Sequence, residues 1–255
     1  MFPALRKQQI IDLLDKHGPL RSAQLADLLE VSYETIRRDL NELEADEAVV
    51  RNHGGVQLPT RGAEPSYIDR SGYAVQEKTA IGKAAAELIK PGMTLMIDVG
   101  TTALAVARAI DEKFEGTVFT CSIPVAVELS NRPGVEVFVN AGRVRAGDLS
   151  ISGSLTDAFY KDVFPDIAFL GSGGIDVRAG LTDFHLSEVT ARRVILQNAE
   201  RSYILADSAK FGRVAAHRVC SLSEVTGLLT NEAPPEDLHR SFADFGGQVI
   251  VAPSS

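Results

Sequence analysis

"VSYETIRRDLNEL", residues 31–43, decides how the beginning of this chain folds. Ser32 is placed to cap a helix, and Ile36, Leu40 and Leu43 recur at the spacing of one helical face. Working backwards, Leu5, Ile10, Leu13 and Leu14 repeat with a helical period up to Lys16, and "HGPL" ends that helix with Gly18 and Pro19. Ser22 would cap a second, short helix carrying Leu25, Leu28 and Leu29, and "EVS" leaves only a tight connection before Ser32. Working forwards, "VVRNHGGVQL" has two β-leaning pieces around Gly54-Gly55, a hairpin signal. Three helices followed by a hairpin within residues 1–57 is the layout of a winged helix-turn-helix domain.

The helix over 32–44 also poses an electrostatic question. The chain has a formal net charge of -8, with a pI near 5.2. Residues 1–57 alone carry 7 Lys/Arg against 10 Asp/Glu, a net of −3. Such a balance excludes indiscriminate binding of nucleic acid through a broad basic surface, but not a small local reading face. In a helix-turn-helix, the N-terminal residues of the second helix reach base edges in the major groove. Ser32, Tyr33, Glu34, Thr35, Arg37 and Arg38 occupy those turns and the outward side. Hydroxyls suit phosphate oxygens, and arginine can bind guanine through two parallel hydrogen bonds. Ser22 and the wing residues Arg51 and His53 complete the expected DNA-facing set. The competing account makes Arg37 and Arg38 solvated charges paired with Glu34, Asp39 or Glu42.

Beyond the hairpin, "LPTRGAEPSY" is poor in apolar residues and carries Pro59, Gly62 and Pro65, so residues 58–76 are expected to form a linker. Residues 77–255 then alternate between helical and strand patterns. "EKTAIGKAAAELI", "TTALAVARAI", "PVAVELS" and "SEVTARRVILQNAE" read as helices, and "TLMIDVG", "TVFTCS", "VEVFVNAG", "DIAFLGSGG" and "RSYILAD" as strands. That alternation predicts an α/β domain with a mostly parallel sheet. Cys121 and Cys220 are far apart and belong to no CxxC pair, which suits simple thiols in a reducing cytoplasm; no metal or cofactor is expected. The charged N-terminal stretch does not read as a signal peptide, and no run of about 18 apolar residues exists to span a membrane.

Three strand ends in this domain carry small polar residues. "DVGTT" places Asp98, Gly100, Thr101 and Thr102 between a strand and a helix start, where backbone amides favour an anion. "GSGG", including Gly173, follows a second strand, and its spacing does not meet the dinucleotide pattern G-x-G-x-x-G. Lys210 follows a third strand and could supply positive charge to a phosphate. Convergent strand ends are where open α/β sheets bind ligands. Asp98, Gly100, Thr101, Thr102, Gly173 and Lys210, with Arg143 and Glu188 as additions, are therefore the expected site for a phosphorylated small molecule.

"VSYETIRRDLNEL" with "RNHGG", and then "EKTAIGKAAAELI", "DVGTT", "FLGSGGID" and "ADSAKFG", closely resemble the signature segments of the DeoR family of bacterial transcriptional regulators, over residues 4 to 230. Within it, "LTDFHLSEV" and "EVTARRVILQNAERSYILADSAKFGR" look most like the glycerol-3-phosphate regulon repressors. The resemblance implies a sensor domain similar in fold to ribose-5-phosphate isomerase, a sugar-phosphate or polyol-phosphate effector and operator DNA; a homo-oligomer is expected because one helix-turn-helix covers too little duplex for tight specific binding. The chain departs from the family pattern at three positions. Glu47 replaces a glycine entering the wing, Cys121 an asparagine, and Ala141 the first glycine of a pair. Two other readings stand beside the repressor. One is an isomerase-like enzyme using Asp98, Asp176, Asp207 and Lys210; the other is an interaction module whose N-terminal helices bind protein.

Overall fold

The computed structural model describes residues 3–17, 20–45, 49–52, 55–57, 64 and 67–253. The chain forms two compact units, Met1–Ala63 and Glu64–Ser255.

In the first unit the helices are α1 (Pro3–His17), α2 (Ser22–Leu28) and α3 (Tyr33–Ala45), followed by strands β1 (Val50–Asn52) and β2 (Gly55–Gln57). Ile10 and Leu14 of α1, Leu25 and Ala26 of α2, and Ile36, Leu40 and Leu43 of α3 meet in one core with Leu29, Val49 and Val56. Ser32 caps α3 as expected: its hydroxyl accepts from the Thr35 amide at 3.2 Å. Ser22 does not cap α2, because the helix begins at Ser22 itself. The capping position is Arg21, whose amide donates to Gln24 Oε1 at 2.8 Å. The wing is an antiparallel pair with Arg51 opposite Val56, and Val56 also exchanges two backbone hydrogen bonds with Leu20. Gly55 is required at that junction: its φ is +140°, and a Cβ there would lie 2.6 Å from the Leu20 carbonyl oxygen. His53 and Gly54, and Glu47 before the wing, lie outside the described residues.

The second unit begins with α4 (Tyr67–Gly72) and α5 (Val75–Ala86). Residues 67–76 of the expected linker are thus helix and turn, while 58–63, 65 and 66 lie outside the described residues. There follow β3 (Thr94–Ile97), α6 (Thr101–Ala109), β4 (Gly116–Thr120), α7 (Ile123–Leu129) and β5 (Val135–Val139). Next come β6 (Arg143–Val144), β7 (Ile151–Ser152), α8 (Ser154–Tyr160), β8 (Ile167–Leu170), β9 (Gly174–Asp176), β10 (Gly180–Asp183) and α9 (Leu186–Asn198). The unit closes with β11 (Arg201–Leu205), β12 (His217–Cys220), β13 (Gly227–Thr230), α10 (Glu236–Ala243) and β14 (Gln248–Val251).

Among the described residues, seven strands form one sheet in the order β14-β13-β11-β8-β3-β4-β5, and every pairing in it is parallel. Alternation along each strand sorts its side chains between two helical layers. Leu95, Ile97, Ile167, Phe169, Tyr203 and Leu205 pack with Ile81, Val106 and Leu129 from α5, α6 and α7. Met96, Ala168 and Leu170 face Tyr160 of α8 and Ala191 and Ile195 of α9. Ile204 and Leu228 face Val189, Leu238 and Phe242. Burial on both faces explains why these strands read as continuous apolar runs. The hairpin β6–β7 and the antiparallel sheet β12-β10-β9 were not expected from the sequence.

Helix α4 is held from beneath by Lys78 of α5. Its buried ammonium donates to the Arg70 carbonyl at 2.5 Å and to the Tyr73 carbonyl at 2.6 Å, so it serves the last carbonyls of a six-residue helix. Burial pushes the Lys78 pKa down to about 8, with Lys210 and Arg70 acting in the same direction and Asp207 opposing them. Lys78→Met keeps the buried length and removes both hydrogen bonds. It is expected to cost about 1.5 kcal/mol and to speed amide exchange across Tyr67–Gly72, read by hydrogen-exchange mass spectrometry.

Candidate functional site

The outward side of α3 carries the expected reading face. Tyr33, Glu34, Arg37 and Arg38 are exposed, Thr35 is half-buried, and the Ser32 and Thr35 hydroxyls are 2.8 Å apart. The arginines are not equivalent. Arg37 pairs with Glu34 at 3.1 Å, whereas among the described residues Arg38 has no ion-pair or hydrogen-bond partner. The carboxylates that could have neutralised it are engaged elsewhere. Asp39 turns inward, where it is 1% exposed and accepts two hydrogen bonds from Arg6, while Glu42 pairs with Lys7. Arg51 does not project from the wing as a free cation. Its Nη2 donates to Asn41 Oδ1 at 2.7 Å and to the Arg37 carbonyl at 3.2 Å, and its Nε lies 3.3 Å from Glu44. It braces β1 against α3. Ser22 is half-buried in the first turn of α2.

In the second unit the sheet order explains why three separated motifs meet. β11, β8 and β3 are consecutive neighbours and parallel, so the segments after them emerge side by side at one edge. After β3 come Asp98 and Gly100, with Thr101 and Thr102 forming the first turn of α6, whose leading amides have no intrahelical partner. After β8 comes "GSGG", and after β11 comes Asp207, which caps a short 3-10 turn containing Lys210.

Inside this edge lies a chain of charges that sequence reasoning did not find. Arg192 of α9, 2% exposed, is surrounded by three buried carboxylates. Its Nε is 2.5 Å from Asp98 Oδ2, its Nη1 2.5 Å from Asp183 Oδ2, and its Nη2 3.1 Å from Glu188 Oε2. Glu188 also pairs with Arg145, which holds Asp148; Asp148 lies 4.0 Å from Arg70, and Arg70 is 2.9 Å from Glu64. Burial pushes the Glu188 carboxyl up to about 7, Arg192 pulls it down, and Asp183 reinforces the rise. For Asp183 burial also acts upward, but the charge and hydrogen bonds of Arg192 prevail and hold it below the usual carboxylate range.

Three of the expected site residues are engaged within the protein, two of them by this network. Asp98 and Glu188 are buried partners of Arg192, and Asp98 further ties β3 to β8 by accepting from the Gly171 amide at 2.9 Å. The Gly173 amide donates to the Thr182 carbonyl at 3.0 Å, and a Cβ there would stand 3.0 Å from that oxygen and from Asp183 Cα. Gly173 thus permits close packing of β10. Arg143 is exposed on β6 and pairs with none of these groups among the described residues. Cys121 substitutes for a polar side chain by pointing its thiol at Asp98 Oδ1, 3.6 Å away; burial, and then Asp98, push that thiol well up.

Gly100, Thr101, Thr102 and Lys210 remain as accessible groups. Lys210 is half-buried, and among the described residues its ammonium has no hydrogen-bond or ion-pair partner. Desolvation lowers its pKa; Arg213 and Arg70 lower it further, and Asp207 and Glu64 oppose them. Arg70 Nη1 lies 3.9 Å from the place a Cβ on Gly100 would take. A neighbouring cleft of about 340 Å³ runs between residues 72–77 and the ends of β11 and β13. Its lining includes Glu77, Asp207 and Glu232 and no cation, so an anion is favoured on the Lys210 side instead.

A winged helix-turn-helix unit joined to a parallel-sheet domain with a cation-bearing edge defines the class of ligand-responsive DNA-binding regulators. Residues 6–61 match the DeoR-like helix-turn-helix domain, and residues 73–232 match the DeoR C terminal sensor domain. The chain belongs to the DeoR family. It is 34% identical over 239 residues to the glycerol-3-phosphate regulon repressor of Escherichia coli, covering 94% of this chain and 95% of that one. It is 30% identical over 253 residues to the HTH-type transcriptional regulator GolR of Listeria innocua, covering 99% and 100%. Similar solved structures include ribose 5-phosphate isomerase A of Methanocaldococcus jannaschii, at 18% identity and a TM-score of 0.40 over 53% of this chain and 54% of that one. Another is the Pyrococcus horikoshii translation initiation factor eIF-2B, at 17% identity and a TM-score of 0.47 over 90% and 82%. Among the described residues, no helix is long and apolar enough to cross a membrane.

Proposed function

We propose that this protein is a transcriptional repressor of a carbohydrate or polyol catabolic operon, released from operator DNA by a phosphorylated sugar or polyol. Glycerol-3-phosphate is the first candidate, since a relative covering almost the whole chain is named for that regulon. The observation that carries the effector reading is Lys210, a desolvated ammonium without a protein partner among the described residues. It stands on the strand edge that also presents Gly100, Thr101 and Thr102. A dianionic phosphate satisfies both an unpaired cation and free helix amides. The DNA contacts are Ser32, Tyr33, Glu34, Thr35, Arg37 and Arg38 on the exposed face of α3, with Ser22 at the start of α2. Arg51 positions the wing. The protein acts as a homo-oligomer, because one such unit covers too little duplex for tight specific binding and symmetric half-sites remedy that.

The isomerase alternative loses its acids. Asp98 is paired with Arg192, Asp176 accepts from the Arg178 and Ala179 amides at 2.8 Å, and Asp207 accepts from the Ala209 amide at 3.2 Å. Each of these acids already serves a structural contact, and the relatives described above are regulators, so we read the protein as a sensor without catalysis.

Fluorescence anisotropy on DNA from the protein's own upstream region, with and without a panel of sugar phosphates including glycerol-3-phosphate, tests this function. Salt-sensitive binding relieved by one compound is expected, and binding that no phosphate relieves would refute the effector class. Lys210→Ala is expected to leave operator affinity unchanged and to raise the effector concentration needed for release by at least about tenfold, the loss of one charge-assisted contact of roughly 1.5–3 kcal/mol. An unaltered ligand titration would remove Lys210 from the site.

A further inference from the structure

The chain brings an anion of its own to the cationic edge. Glu64 is the first residue of the second unit, and its side chain is 17% exposed. One carboxylate oxygen lies 2.9 Å from Arg70 Nη1 and the other 3.2 Å from His185 Nε2. The Glu64 charge also reaches the unpaired ammonium of Lys210. Arg70, in turn, stands beside Gly100 at the start of α6. A carboxylate is therefore seated among the groups an entering phosphate would use.

We propose that Glu64 is a built-in competitor of the effector: its carboxylate and the effector's phosphate are alternative partners of Arg70 and His185, and ligand binding expels Glu64. This rests on the reading of the edge as the effector site. A phosphate presents more charge and more acceptor oxygens than a carboxylate, so it competes effectively with the Glu64 oxygen that lies 2.9 Å from Arg70 Nη1. Arg70 keeps a neighbour through the exchange, since Asp148 lies 4.0 Å from its other terminal nitrogen. Glu64, 17% exposed when paired, regains full hydration of its carboxylate on leaving, which offsets the contacts it gives up.

The exchange supplies the differential affinity that regulation requires. A ligand shifts a conformational equilibrium only if it binds one state better than the other, and phosphate cannot share Arg70 and His185 with Glu64. The two states differ at the residue where the chain enters the second unit from the first. Expulsion frees Glu64 from Arg70 and His185, and Arg70 on helix α4 takes the ligand in its place.

Glu64→Gln in the full-length chain tests the exchange, because it keeps the side-chain size and removes the charge. Inorganic phosphate and glycerol-3-phosphate would be titrated calorimetrically into wild type, Glu64→Gln, Lys210→Ala and the Glu64→Gln/Lys210→Ala double variant. If Glu64 fills the site about nine-tenths of the time, Glu64→Gln is expected to bind about tenfold more tightly. The gain should vanish in the double variant. Amide exchange across residues 67–72 should be faster in ligand-free Glu64→Gln than in ligand-free wild type, and should slow in Glu64→Gln when ligand takes up Arg70. Equal or weaker binding by Glu64→Gln, with wild-type binding lost in Lys210→Ala, overturns the competitor and leaves the site reading intact. Absence of binding in both wild type and Glu64→Gln overturns the site reading, and the competitor with it.

Discussion

Arg192→Ala is expected to destabilise the second unit by about 3–5 kcal/mol, the range for removing one partner of a buried ion pair. That is a large fraction of the roughly 5–15 kcal/mol by which domains are stable. The reason is the charge left behind. Asp98, Asp183 and Glu188 are between 2% and 6% exposed, and all three accept hydrogen bonds from this guanidinium. For a domain of this size each kcal/mol moves the melting temperature by about 2–4 °C, so scanning calorimetry should show a drop of about 10 °C. The dependence on pH separates this cause from lost packing. Glu188 already titrates at about 7 in the folded protein, against 4.5 for an ordinary glutamate. A carboxyl whose folded pKa is raised binds more protons folded than unfolded, so its favourable contribution is present at acid pH and lost as pH climbs through the folded value. Without Arg192, which holds both down, Asp183 and Glu188 shift up together. The deficit relative to wild type should therefore be smallest near pH 5 and grow towards pH 8. A deficit independent of pH would mean that the guanidinium acts only by filling space.

Arg192 also marks the limit of what the sequence discloses. The outward face of α3 is legible because one helix carries the whole pattern: three apolar residues face the core, and exposed polar residues lie between them. The parallel sheet is legible because strands buried on both faces form apolar runs bounded by glycine. The charge network has no such local signature. Asp98 and Arg192 are 94 positions apart, and the Arg192-Arg193 pair in a helix reads as solvated charge. The one available hint was Glu188 at i−4 from Arg192 on α9, and that spacing is as common on exposed helices. Arg70 and Glu64 were hidden for a different reason: both lie in a stretch whose prolines and glycine mark it as a linker. Their role comes from where α4 is held by Lys78, which the composition of that stretch does not encode. The strand-end motifs were read correctly as convergent, but not which of their atoms stay available. Gly173 and Asp98 are used up by packing between neighbouring segments, a tertiary fact that no single motif contains.

Arg38→Ala is expected to weaken binding to operator DNA by about 2 kcal/mol, close to thirtyfold, as for loss of a bidentate contact to a base edge. Arg37→Ala is expected to cost distinctly less. The two side chains are adjacent in sequence and both exposed, so composition alone gives them equal standing. What separates them is their partners. Arg37 lies 3.1 Å from Glu34, and to meet DNA it must leave that carboxylate or bring it towards the phosphates. Arg38 has nothing to leave, because Asp39 is committed to Arg6 within the core and Glu42 to Lys7. An arginine with no competing carboxylate keeps its full donor set for guanine and pays no exchange penalty on binding. Anisotropy titrations at several salt concentrations distinguish the kinds of contact. Loss of a phosphate contact lowers the salt slope by about one and weakens all sequences alike, whereas loss of a base contact leaves the slope and relaxes discrimination at one position. Arg38→Ala should follow the second pattern. Its buried neighbours Ile36 and Leu40 are untouched, so the melting temperature should stay at the wild-type value. Equal losses for the two variants would show that the Arg37–Glu34 pair opens freely on DNA and that burial of Asp39 does not set the reading face.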